Sequence, residues 1–416
     1  MSFENNIPEG WIDTTLGEVC DKMYSGGTPS TKREDYYGGD IPWIRTQEVK
    51  FNYILDAEIK ITDLGLKNSS ARYIPKNTII IAMYGNSAGR VAYSKIEATT
   101  NQACCNFVSD KDECVPSFVY FNLLGRYKEI EGKANGAAQQ NLSVGVLKEL
   151  SINLPPLPEQ KAIAKVLTAF DDKIELLQAQ NKTLENMAQT IFKEWFGKYQ
   201  IGDELPEGWR VRELRDLAEK ISKGTTPRKN DVQGKENTIF FLKVKDISDD
   251  GLISNKNLAL IPKEVHRNQL KRSILESNDI LFSIAGTIGR VAILHEELND
   301  CNCNQAIAFI RLKNKNEFLE YVHLWIKSKE IQTEINSSIV QGVQANVSLT
   351  VLGDLKIILP SDSTMLRWKG IIKPIYNKIY NNNNQIKSLT KTRDNLLPKL
   401  MSGQVRVNNI KQTADA

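Results

Sequence analysis

Two stretches of the chain carry apolar residues in alternating steps of four and three. The first, entered at Pro158, runs through Ile163, Leu167, Phe170, Ile174, Leu177, Leu184, Ala188, Ile191 and Trp195, with Asn181 in the same series. The second runs through Trp368, Ile372, Ile375, Ile379, Ile386, Leu389, Leu396 and Leu400, and is interrupted by Asn382 and Arg393. A heptad sustained this long predicts two helices that pair with each other, because a helix lying on its own globular domain usually shows a broader apolar stripe. Pro158 suits a first helical turn, with Glu159 beside it. Pro374 and Pro398 predict a late start or a kink in the second helix.

Elsewhere the apolar runs are short. Residues 78–82 and 90–93 are β-rich and flank a glycine-bearing turn, residues 279–283 and 290–294 repeat the arrangement, and both predict hairpins. Helical patterns over 117–130 and 317–335 make each region mixed α and β.

The chain also repeats itself. Pro8-Glu9-Gly10-Trp11 recurs as Pro206-Glu207-Gly208-Trp209, displaced by 198 residues. Gly89-Arg90-Val91-Ala92 recurs at Gly289 after 200, Asn101-Gln102-Ala103 at Asn304 after 203, and Asn141 and Ser143 at Asn346 and Ser348 after 205. A displacement that drifts in small steps is the mark of loop insertions in a duplicated half, far longer than any solenoid unit. The expected fold class is therefore mixed α/β: two tandem α+β domains separated by a pair of long antiparallel coiled-coil helices, on a pseudo-twofold plan. The expected boundaries are 1–155 for the first domain, 156–200 for the central helix, 201–360 for the second domain, 361–403 for the C-terminal helix and 404–416 for a tail.

Composition narrows the class. Hydrophobic residues make up 41% and charged residues 25% of the 416, as in ordinary globular chains, and no apolar run is long enough to cross a bilayer. The start, MSFENNIPEGW, has neither a basic nor an apolar leader region, so the cytoplasm is the expected compartment and the six cysteines are expected as thiols. A net charge of +4, from 54 basic and 50 acidic residues, is too small to draw the whole molecule to a polyanion. Any nucleic-acid surface must be local.

Three segments resemble the conserved regions of Type I restriction-modification specificity (S) subunits. These are Leu154-Pro-Pro-Leu-Pro-Glu-Gln160 entering the first helix, Ile191-Phe-Lys-Glu-Trp-Phe196 closing it, and the terminal Leu396-Leu-Pro-Lys-Leu-Met-Ser-Gly403. The resemblance extends to the whole plan, from Pro8 to about Val407. One departure is the second helix entry, Leu359-Pro-Ser-Asp-Ser-Thr-Met365, which has no Pro-Glu-Gln counterpart. The resemblance implies that each α+β domain is a target recognition domain and that the chain reads a bipartite site on double-stranded DNA. It implies two modification (methyltransferase) subunits as partners, carrying S-adenosylmethionine and methylating adenine. Restriction subunits would join with ATP and Mg. No cofactor and no membrane is expected for this chain itself.

The residues agree that chemistry is supplied elsewhere. His266, His295 and His323 are not at metal-ligand spacing to cysteine, so no metal site is expected. Ser25–Lys32 lacks the Gly-Lys-Ser/Thr ending of a phosphate loop, and Asn153-Leu-Pro-Pro-Leu157 is not the Asn-Pro-Pro-Tyr of adenine methyltransferases. No catalytic residue is assigned. Two other readings are an autonomous two-domain sequence-specific DNA-binding protein, disfavoured because such a protein has no use for heptad helices ending in open aromatics such as Trp195 and Phe196, and a self-sufficient methyltransferase or nuclease with cryptic motifs.

Base readout needs Arg, Lys, Asn and Gln on loops. The Gly-Thr-Pro turns offer Lys32 and Arg33 in one copy and Arg228 and Lys229 in the other. The segments after an apolar strand offer Arg45 and Gln47, and Lys243 and Lys245. The glycine turns offer Asn86, Ser87 and Arg90, and Thr287 and Arg290, where a hairpin arginine with an internal ion pair is an equally good reading. Asn101-Gln102 and Asn304-Gln305 read better as hydrogen-bond anchors. The amide-rich stretches at 139–141 and 341–346 are either reading loops or polar connections.

Finally, antiparallel seams aligned end to end place Ile163 with Leu400, and the same sum sets Asn181 opposite Asn382 and Phe170 opposite Arg393. The paired amides would fix the register of the helices, and the arginine would stack on the ring.

Overall fold

The computed structural model describes residues 7–109, 112–135, 141–254, 258–338 and 346–407. The chain divides into two compact units, Met1–Leu176 with Gln385–Ala416, and Leu177–Asn384, so each unit holds one α+β domain and part of both long helices. Residues 139–140 and 341–345 of the amide-rich stretches, and the tail beyond 407, lie outside the described residues.

In the first unit a five-stranded sheet runs in the order Cys20–Ser25, Cys104–Ser109, Ile79–Ala82, Val91–Ser94, Asn52–Ile54. Its centre is the predicted hairpin, antiparallel with Ile79 opposite Tyr93. All four residues of Ile79–Ala82 are buried, because both faces are covered. Ile79 and Ile81 face a core with Phe118, Phe121, Ile163 and Leu167. Ile80 and Ala82 face a second core with Ile44, Ile54 and Ile74. Strand alternation thus divides one apolar run between two cores. A smaller sheet, Lys60–Ile61, Tyr37–Ile44, Ala98–Thr100, Tyr73–Ile74, covers the second face.

The second unit repeats the plan. Its central sheet is Ala218–Lys223, Ile307–Leu312, Ile280–Ser283, Val291–Ile293. Ile280 and Phe282 face a core with Tyr321, Phe192 and Trp368, and Leu281 faces one with Leu242, Cys303 and Phe309. In each domain the predicted single helix is broken in two. Pro116–Gly125 is followed by Tyr127–Asn135, and Lys315–Lys327 by Lys329–Ser337, where Ser328 turns extended and caps the new start by accepting from the Ile331 N–H.

The central helix spans Leu157–Phe196 and the C-terminal helix Asp362–Met401. Neither proline interrupts the latter. Pro374 and Pro398 both lie on its exposed side, where the carbonyls that a missing N–H leaves unpaired are open to solvent. Within each unit the helix segments are antiparallel. In the first, Asp171 meets Arg393 and Glu159 meets Arg406, each at 2.6 Å. In the second, Asn382 Nδ2 donates to Asn181 Oδ1 at 2.8 Å and the Phe196 ring lies 5.5 Å from that of Trp368.

The expected Arg393–Phe170 stacking is replaced by an ion pair. Arg393 Nη1 donates to Asp171, the residue next to the heptad position, and Phe170 is half-buried. The expectation of an open aromatic also fails at Phe196, while Trp195 is half-buried. Phe196 is 6% exposed in a cluster with Phe192, Tyr321, Trp209 and Trp368. An α-helix of 3.6 residues per turn falls about 20° short of two full turns in each heptad. The buried stripe has therefore moved by its end from Ile191 and Trp195 to Phe192 and Phe196.

Candidate nucleic-acid interface

In each domain the candidate loops converge on one tripeptide. In the first it is Asn101-Gln102-Ala103. The Asn101 N–H donates to Ile44 O at 3.0 Å, tying in the segment that carries Arg45 and Gln47. Gly27 N–H donates to Thr100 O at 2.8 Å and Gly26 N–H to Cys104 O at 3.0 Å, which ties in the Gly-Thr-Pro loop. Met83 N–H donates to Ala103 O at 2.9 Å and Leu142 N–H to Met83 O at 2.8 Å, bringing the turn at Tyr84–Arg90 beside Asn141. Thr28 Oγ1 donates to Gln102 Oε1.

Asn304-Gln305-Ala306 makes the same bonds in the second domain. Asn304 N–H donates to Leu242 O at 2.9 Å, Thr225 N–H to Cys303 O at 3.1 Å, Gly224 N–H to Ile307 O at 3.0 Å, Ile284 N–H to Ala306 O at 2.8 Å and Val347 N–H to Ile284 O at 3.0 Å. Thr226 Oγ1 donates to Gln305 Oε1. The approach is so close that only glycine fits at Gly26 and Gly224. A Cβ there would collide with the backbone of Thr100 and Asn101, or of Cys303 and Asn304.

The predicted side chains differ in how free they are. Lys32, Arg33, Gln47, Asn86, Arg228, Lys229, Lys245 and Thr287 are exposed. Arg33 is paired with its neighbour Asp35 at 2.6 Å, and that hydrogen-bonded carboxylate raises the guanidinium pKa. Arg45 and Lys243 begin equivalent short turns, each closed by a buried acid. Their N–H groups donate to Glu48 at 3.0 Å and to Asp246 at 2.8 Å. The Arg45 side chain is half-buried and pairs with Glu58 at 2.9 Å. Ser87 Oγ donates back to Tyr84 O at 3.1 Å, which shapes the turn.

The two Gly-Arg turns diverge. Gly89 and Gly289 both need φ values, +82° and +95°, that favour glycine. Arg290 is committed internally. Its Nε donates to Asp249 at 2.7 Å, and its Nη1 to Ile247 O at 2.8 Å and Val244 O at 3.2 Å. Arg90 forms no ion pair among the described residues, and its guanidinium lies beside the Tyr127 hydroxyl. The predicted equivalence of the two arginines therefore stops at the backbone.

The six cysteines are free thiols. Burial pushes Cys105 and Cys301 up to about 12, so these thiols are uncharged at neutral pH and serve packing. Among the described residues no His, Cys, Asp or Glu cluster could hold a metal, and no helix is long and apolar enough to cross a membrane. The expected hydrogen-bond anchors at Asn101-Gln102 and Asn304-Gln305 do tie the loops together, each glutamine accepting from a threonine of the Gly-Thr-Pro loop.

Two α+β domains built on the same hydrogen-bonded tripeptide, each packed on segments of two long helices, define a duplicated two-domain protein. The family model of the Type I restriction modification DNA specificity domain matches the chain twice, over residues 8–186 and 206–393, and the chain belongs to this family. It is 30% identical over 427 residues to the specificity subunit of the Type I restriction enzyme MjaIX of Methanocaldococcus jannaschii, covering 97% of this chain and 95% of that protein. It is 22% identical to the HindI specificity subunit of Haemophilus influenzae, covering 95% and 99% of the two chains. The crystal structure of a Type I restriction-modification S subunit from M. genitalium has the same fold, with a TM-score of 0.55 at 19% identity over 96% of this chain and 98% of that one.

Proposed function

We propose that this chain is the non-catalytic reader of a two-part DNA target, each recognition domain reading one part through the loops gathered at its Asn-Gln-Ala tripeptide. The observation that carries this reading is the duplicated cluster, because both copies present exposed basic and amide side chains on loops tied by backbone hydrogen bonds to a buried sheet. In this reading the chain is a cytoplasmic scaffold. It holds two modification subunits, which carry S-adenosylmethionine and methylate adenine, and restriction subunits, which use ATP and Mg to cleave DNA. Its own residues contribute binding and orientation only. Arg90, Gln47, Asn86 and Lys245 are the side chains best placed to distinguish bases, since none is consumed by an internal ion pair among the described residues.

The test is an exchange of domains. Residues 1–155 are replaced by the first recognition domain of another family member, and the hybrid is co-expressed with the modification subunits. Methylated adenines are then mapped across the host genome. The expected outcome is a target altered in one part and retained in the other. Simultaneous change of both parts would sink the two-part reading.

A further inference from the structure

The matched Thr–Gln pairs stand apart from their surroundings. Thr28 with Gln102 and Thr226 with Gln305 are identical in residue type and in bonding, and both glutamines are exposed. Several of the candidate reading side chains around them differ in type or in bonding. Lys243 stands at the position equivalent to Arg45, the basic residues of the Gly-Thr-Pro loops are Lys32 and Arg33 in one copy and Arg228 and Lys229 in the other, and Arg290 is clamped where Arg90 is not. Side chains that read different base sequences must differ between the two domains. Side chains that meet what all DNA has in common need not.

The geometry of the amide makes the same distinction. One lone pair of each Oε1 is taken by the threonine hydroxyl, while the Nε2 group, which only donates, has no partner among the described residues in either exposed glutamine. Recognition of adenine by an amide uses a donor and an acceptor together. A donor presented alone suits an anionic oxygen. The placement is rigid, because the tripeptide is bonded through its backbone to the neighbouring segments. Basic residues follow on the same loop, at Lys32 and Arg33 and at Arg228 and Lys229.

We propose that Gln102 and Gln305 are positioning residues that donate their amide N–H to a backbone phosphate of each half-site, setting the register from which the diverged side chains read bases. This rests on the DNA-reading function proposed above. The assembled complex with its modification subunits is titrated, over a range of salt concentrations, with the duplex that the wild-type complex methylates and with duplexes scrambled in one half-site. Gln102→Ala is expected to weaken binding about tenfold, the scale of one hydrogen bond to a charged group. The loss should be equal on both duplexes, leaving the methylated sequence unchanged. Gln102→Glu keeps an acceptor for Thr28 but replaces the donor by a negative oxygen, so it should bind more weakly than Gln102→Ala. Gln102→Lys cannot accept from Thr28, yet should restore affinity and steepen the salt dependence by about one unit. Gln305 variants should behave alike and independently.

Wild-type affinity for Gln102→Glu would overturn the proposal by leaving the pair a purely internal role. Relaxed methylation at one base position would overturn it by making Gln102 a base reader. A wild-type complex that did not discriminate between the duplexes would instead bring down the underlying reading, and is distinguishable because it involves no variant.

Discussion

The two units solve the same packing problem with different chemistry where a recognition domain meets the long helices. In the first unit Asp171, 6% exposed on the central helix, accepts from Tyr53 at 3.1 Å and pairs with Arg393 at 2.6 Å. Tyr53, Tyr93 and Tyr120 enclose the site, with ring centroids 5.6 to 5.8 Å apart. In the second unit the residue 203 after Tyr120 is His323 and the residue 205 after Asp171 is Tyr376. There the His323 Nδ1 and the Tyr376 hydroxyl lie 2.7 Å apart, a neutral pair in place of an ion pair. The polar tripeptide bonds survived duplication unchanged, while this junction did not. A backbone-to-backbone bond constrains few side chains, whereas a buried polar pair can be exchanged if both members change together.

The comparison can be broken most directly at Asp171. Asp171→Ala leaves the Arg393 charge and the Tyr53 hydroxyl without their shared partner, and should cost about 3 kcal/mol in denaturant unfolding. A loss below about 1 kcal/mol would show that Asp394 alone satisfies Arg393. The Gly-Arg turns come next. Arg290→Ala removes one ion pair and two carbonyl contacts and should cost about 2 kcal/mol, while Arg90→Ala should cost less than about 0.5 kcal/mol. Similar costs at the two sites would erase the difference drawn between them.

Acid distinguishes the junctions without mutation. Burial, with Lys327 and His295 nearby, holds His323 well below its ordinary 6.5, so below that pH the unfolded chain binds more protons than the folded one. The second unit should therefore lose stability as pH falls from 6.5 toward the lowered folded value, by up to about 1.4 kcal/mol per pH unit. His323→Gln, which does not titrate, should flatten this slope in a pH series of urea melts. Tyr376→Phe should cost about 1 kcal/mol for one hydrogen bond. An increase in stability would mean that the His–Tyr pair is poorly satisfied.

The duplicated plan, the two long helices and the hairpins were legible in the sequence, because each rests on a local period or on exact recurrence. The clustering of candidate loops was only partly legible. Asn101 and Ile44 are joined by a bond that links positions far apart in the chain, and no local pattern announces it. The tripeptide read as an anchor, but its exposed glutamine, held by a threonine on another loop, appears only when the loops are brought together. Heptad arithmetic set Asn181 against Asn382 because the seams there still follow a 3.5-residue repeat. It misplaced the contact of Arg393, whose partner Asp171 is one residue off the seam. It also misjudged Phe196, since a real helix turns less per residue than a strict heptad requires and carries its buried face away from the a and d positions. What recurs or repeats along the chain was determined by the sequence itself. Which arginine is held by an internal ion pair and which is not, as with Arg290 and Arg90, was decided only in the tertiary structure, where Asp249 lies within reach of one and the other, beside the Tyr127 hydroxyl, forms no ion pair among the described residues.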